Sequence, residues 1–171
     1  CVYGVLGQAQ GSSNNKYGGY FIGDVYGAQF LTPSDKKLKT NFGEYHGALD
    51  KIALLKPMIY NFNLETYPYF NFPEGQQVGF LAEDLRAQFP SLVKATSQPD
   101  VVVPEADAKA MGATYTITES GLAKIADGLE FEAVNYTGLI PVLVAGMQEQ
   151  QKMIENQQIQ IDRLSKLLEE K

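Results

Sequence analysis

One cysteine, Cys1, and one histidine, His46, are all that the 171 residues hold of the softer metal-ligating side chains. A disulfide framework has no second thiol, and a Cys/His metal site has no ligand set at motif spacing. Neither a metal nor a cofactor is expected. Cations are also in short supply: 14 Lys and Arg stand against 20 Asp and Glu, a net charge of -6, with no dense basic stripe. Nucleic acid, whose phosphates are gripped by clustered cations, is therefore not an expected partner. No apolar run reaches the roughly 18 to 20 residues that span a bilayer, and no charged-then-apolar signal segment opens the chain, so a membrane is not an expected partner either. Cys1 has no apolar segment before it, and the chain reads as cut from a longer polypeptide rather than lipidated there.

The length suits one compact domain with an elongated appendage. Residues 1–33 are rich in Gly and Tyr, as in Tyr17-Gly18-Gly19-Tyr20-Phe21-Ile22-Gly23. Aromatic and β-branched residues between glycines suit short strands and close backbone approach, yet too few apolar side chains are present for a private core. The segment is expected to be the end of a fibrous β-stalk in which several chains wind about one axis.

From Ala48 the pattern turns helical: Leu49, Ile52, Ala53 and Leu55 make an apolar face, and Pro57 stops it. Met58 to Asn63 reads as a half-buried strand, residues 65–75 as a Pro/Tyr-rich loop, Val78 to Ala82 as a short apolar run, and Glu83 to Phe89 as a helix closed by Pro90. Leu92 and Val93 begin another strand. Residues 95–133 are expected to leave the core as an excursion that includes a β-ribbon strand at Thr114 to Thr118 and contacts the stalk.

A long helix follows Asn135-Tyr136-Thr137-Gly138, with Thr137 able to cap it and Pro141 in the tolerant first turn. Ile140, Met147, Ile154, Ile161 and Leu168 recur every seven residues, with Leu143, Gln150, Gln157 and Leu164 between them. That is an a/d heptad array, a stripe too narrow for a helix lying on a globular core and suited to self-association. Gln150 and Gln157 would meet their own copies across such a seam and fix its register. Isoleucine at a fits two or three strands; a wound stalk upstream favours three. The expected class is α+β: a short β-stalk segment over 1–33, a mixed globular domain over 34–138 with its excursion near 95–133, and a trimeric coiled-coil helix over 139–171.

Ser34-Asp35-Lys36-Lys37-Leu38-Lys39-Thr40-Asn41, Ala48-Leu49-Asp50-Lys51-Ile52, Leu55-Lys56-Pro57 with Tyr60-Asn61-Phe62, Gly79-Phe80-Leu81-Ala82-Glu83-Asp84-Leu85 with Phe89-Pro90-Ser91-Leu92-Val93, and Asn135-Tyr136-Thr137-Gly138-Leu139 come in one order. In that order they closely resemble the intramolecular chaperone domain of endosialidases and other phage tail fibres, the S74 peptidase family. The resemblance covers residues 34–171. It implies a C-terminal domain that drives assembly of a homotrimeric β-fibre of the same polypeptide, then releases itself by cutting Pro33–Ser34. It also implies Ser34 as nucleophile and Lys39 as general base, with Asp35 and Glu83 as supporting candidates, and a place in a virion tail fibre or a bacterial surface fibre. Glu83 stands where the family often has glutamine, and Lys37 where arginine is common.

Such a pair works only if the amine is neutral, because an ammonium has no lone pair to accept the hydroxyl proton. Shielding from water, with Lys36 and Lys37 as like charges, would favour that form, whereas pairing with Asp35 would oppose it. Across five positions a straight strand separates the side chains by about 16 Å, and a regular helix sets them about 140° apart. Residues 35–38 must therefore reverse direction, or Lys39 must reach the serine of a neighbouring copy. Two other classes stay open on the residues alone. One is a permanent, non-cleaving trimerisation tip, and the other a receptor- or glycan-binding fibre tip using Tyr67, Tyr69, Phe70 and Phe72.

Overall fold

The structure, a computed structural model, describes residues 7, 9, 18, 19, 21 and 24–170. The fold class is α+β. In chain order the elements are α1 (Ala48–Ala53), β1 (Met58–Tyr60), β2 (Gln77–Gly79), α2 (Ala82–Gln88), β3 (Val93–Gln98), β4 (Val101–Val103), α3 (Glu105–Ala110), β5 (Thr116–Ile117), β6 (Ala123–Ala126), β7 (Leu129–Val134) and α4 (Leu139–Glu169). The strands expected before residue 24 fall almost wholly outside the described residues. Residues 24–33 form no strand and are solvent-exposed, so this part of the expected β-stalk is not built within a single chain. Isolated Gly-rich strands have neither a ladder partner nor a hydrophobic face to hold them.

The described residues divide into two compact units. One unit joins Leu31–Met58, Phe80–Lys94 and the chain from Val134 onward. Its core is Ala48, Leu85, Phe89, Leu139 and Val142, with Ile52, Leu55, Phe80 and Leu92 among the side chains packed on it. Leu85 is fully buried, a transfer that contributes about 1.5 to 3 kcal/mol. α1 and α4 pack together here. Gly146 makes the approach possible: a Cβ there would lie 2.7 Å from Ile52 Cδ1 and 3.8 Å from Ala48 Cβ.

α4 thus differs from the expectation of a helix free of any globular body. Leu139, Val142 and Gly146 are buried on one side of its first turns, while the seam residues occupy another side. Two apolar faces coexist because the heptad stripe leaves intervening positions free to meet α1. The cap also differs from expectation. Asn135 Oδ1 accepts the Gly138 N–H at 3.1 Å and the Thr137 hydroxyl at 2.8 Å, so Asn135 caps the short 3-10 turn that leads into α4 and Thr137 braces it.

The second unit holds Ile59–Gly79 and Ala95–Ala133 with described residues up to Phe30. β1 pairs with β2, β3 with β7, and β4, β6 and β5 form a sheet in that order. β6 is antiparallel to both neighbours, with Ile117 opposite Ala123. The aromatics between β1 and β2 pack on one another. Phe62 and Phe72 stack at 4.6 Å between ring centres, Phe70 and Phe72 at 5.8 Å, and Tyr67 meets Phe70 edge-on at 5.6 Å. Phe70 is buried and Tyr67, Tyr69 and Phe72 are half-buried, and the rings of Tyr67, Phe70 and Phe72 are engaged with one another.

Candidate functional site: a serine and a lysine across one tight turn

The chain from Leu31 to Ser34 carries no regular structure, and Pro33 and Ser34 are exposed, so the bond between them is accessible. A single 3-10 turn, Lys36–Leu38, follows immediately. Its backbone bonds run from Leu38 N–H to Asp35 O at 3.0 Å and from Lys39 N–H to Lys36 O at 3.1 Å. Asp35 starts the turn, its Oδ1 accepting the Lys37 N–H at 3.0 Å. An acidic cap suits this end, where the first amides lack partners.

The turn reverses the chain enough to bring Lys39 Nζ within 2.7 Å of Ser34 Oγ. Of the two routes open to the sequence, contact within one chain is the one realised. The three lysines have separate destinations. Lys36 lies over the Phe42 ring at 5.7 Å, Lys37 Nζ pairs with Asp35 Oδ2 at 3.2 Å, and Lys39 reaches the serine. Asp35 is thereby engaged with Lys37. Glu83 is exposed in the first turn of α2, and among the described residues no hydrogen bond or ion pair joins it to Ser34 or Lys39.

Shielding of the lysine from water is not met within one chain: every residue of the segment 34–39 is exposed. A short turn at the margin of a unit has no second layer to cover it. An ammonium can only donate to Ser34 Oγ; taking the proton needs the opposite polarity, with the hydroxyl donating to a neutral amine. The 2.7 Å separation suits both directions.

The nine seam residues, Ile140, Leu143, Met147, Gln150, Ile154, Gln157, Ile161, Leu164 and Leu168, are all exposed. Ile154 and Ile161 are 50% and 54% accessible despite being apolar. α4 runs for 31 residues, about 46 Å at 1.5 Å per residue.

Sequence reasoning alone misses Glu149. It projects from α4 to the start of α1, where its carboxylate accepts the Ala48 N–H at 3.1 Å and the Leu49 N–H at 2.9 Å. These bonds, Leu49's foremost, hold its carboxyl below the ordinary glutamate range. Gly47 precedes α1; its left-handed φ of 70° favours glycine, and it offers no side-chain cap of its own. At heptad position c, Glu149 looks like any solvated glutamate, and nothing nearby in sequence marks its partners.

Residues 34–94 match the family described as Peptidase_S74, chaperone of endosialidase. The matched segment, which contains the Ser34–Lys39 turn, α1 and α2, is thus similar to that family, whose name joins a peptidase to a chaperone. Comparison with curated proteins finds no match. Among the described residues no helix is long and apolar enough to cross a membrane, and no group of three or more His, Cys, Asp or Glu could hold a metal ion.

Proposed function

We propose that the chain is an intramolecular chaperone that trimerises along α4, registers an upstream β-fibre of its own polypeptide, and releases itself by cutting Pro33–Ser34. The observation that carries this reading is the 2.7 Å contact between Lys39 Nζ and Ser34 Oγ, set beside the bond to be cut. The exposed a/d seam supports the assembly half. The setting that fits is a virion tail fibre or a bacterial surface fibre.

The chemistry follows from the placement. Neutral Lys39 Nζ takes the Ser34 hydroxyl proton, and Oγ attacks the Pro33 carbonyl carbon through a five-membered ring. The C–N bond breaks, the Ser34 nitrogen receives the proton from the lysine, and the Pro33 acyl group rests on Oγ as an ester. Water, deprotonated by Lys39, then attacks that ester. The products are a Pro33 carboxylate and a Ser34 with free amine and hydroxyl. Holding the reacting groups on adjacent residues replaces a collision with an intramolecular step.

Exposure of Lys39 in one chain leaves the shielding to assembly: a neighbouring copy that covers the turn would favour the neutral amine. Scission then reports a formed trimer. After release the wound fibre has lost its assembly route and persists by slow unfolding. The same exposure favours a second reading, a permanent trimerisation tip whose turn never becomes dry enough to react. Denaturing electrophoresis separates the two. The first predicts fragments 1–33 and 34–171 from the wild type and an intact band from Ser34→Ala, and the second predicts one intact band from both.

A further inference from the structure

We propose that Lys37 is a positioning residue that holds the Asp35 carboxylate away from the Lys39 amine. The inference rests on the reading of Ser34 and Lys39 as the scission pair. Asp35, Lys36, Lys37 and Lys39 crowd onto one solvent-exposed turn, where a single anion could pair with any of the three cations. Both oxygens of that anion go to Lys37: Oδ1 to its N–H at 3.0 Å and Oδ2 to its Nζ at 3.2 Å. Lys36 is drawn to the Phe42 ring, and Glu44, the next anion along the segment, faces His46 at 3.5 Å. Lys39 is left to Ser34.

Without the Lys37 ammonium, Asp35 Oδ2 loses its partner, and Lys39, four positions on at the other end of the same short turn, becomes a competing cation for it. That pairing is harmful twice over. It competes geometrically with the Ser34 Oγ contact, and it stabilises the charged amine, which cannot accept a proton. The neutralising cation thus belongs to the residue whose backbone N–H the same carboxylate caps, so one side chain closes the turn and sequesters the anion together.

The test compares scission rates across pH for the wild type, Lys37→Met, Lys37→Arg, and Asp35→Asn with Lys37→Met. Lys37→Met is expected to slow scission about fivefold at neutral pH, the size of an exposed charge pair. The alkaline rise of its pH–rate profile should move to higher pH. Lys37→Arg keeps a cation on Asp35 and should cleave at the wild-type rate, and the double variant, which removes the anion as well, should recover from the Lys37→Met defect. Lys37→Met cleaving like the wild type at every pH overturns the inference, as does a double variant that stays slow. A wild-type chain that never cleaves overturns the scission reading instead. A measurement independent of scission is the structure of the Ser34→Ala, Lys37→Met protein: an ion pair between Asp35 and Lys39 is expected there, and its absence overturns the inference by itself.

Discussion

Glu149 on α4 accepts the backbone N–H of Leu49 at 2.9 Å, across 100 positions of sequence. Its other oxygen takes the Ala48 N–H, so a carboxylate from one helix caps another that has no cap of its own. Replacing Glu149 by Ala should lower the unfolding midpoint, and Gln, which keeps one acceptor oxygen, should lower it less. The pH dependence has a definite sign. A carboxyl held below its ordinary value by these N–H bonds contributes stability that is present above that ordinary value and lost as pH falls through the folded-state value. Thermal melts from neutral to acid pH should therefore show the wild type approaching Glu149→Gln as Glu149 protonates.

Gly146 sets how closely α1 sits on α4. An added Cβ would press on Ile52 Cδ1, the movable end of a side chain. Alanine gains about 1 kcal/mol of helix propensity at an interior glycine, so Gly146→Ala should come out near neutral by denaturant unfolding. Gly146→Leu has nowhere to go and should destabilise by about 1 to 3 kcal/mol.

The proposed seam carries its own salt signature. Counting from Ile140 at a, the flanking e and g positions, from Val144 and Gly146 to Ser165 and Leu167, hold no charged side chain. Interhelical ion pairs normally occupy those sites. Sedimentation should give one oligomeric species whose mass is the same in low and high salt. Ile154→Asp, which buries a carboxylate in the seam, should shift the protein to single subunits. Its core around Leu85 lies elsewhere and should still melt cooperatively.

Leu85 is fully buried between α1, α4 and the chain around Phe89. Leu85→Ala should cost about 2 to 5 kcal/mol in urea unfolding, the range for a leucine removed from a packed core.

How much of this the sequence revealed depended on how local the cause was. The apolar spacing from Ala48 and the stop before Pro57 located α1 to within a turn, and Glu83 to Phe89 lies within a residue of α2, because 3.6-residue periodicity and proline act at short range. α4 was legible for the same reason. The Ser34–Lys39 contact was legible as a choice between two geometries, and the Asp35 cap and 3-10 turn realise one of them. The Glu149 clamp and the α1-facing side of α4 were not legible, since each depends on residues about a hundred positions away. Residues 95–133 were also poorly readable. Short strands such as β6 gain their structure from partners on both sides, and the small acidic helix α3 lacks a strong apolar period.

The pair at the centre of the account is tested most directly by the intact mass of the purified wild type followed over time beside Lys39→Ala. The wild type should resolve into 1–33 and 34–171, with one water added across Pro33–Ser34, while Lys39→Ala keeps its full mass. A Lys39→Ala chain that divides at the same bond and the same rate would contradict it.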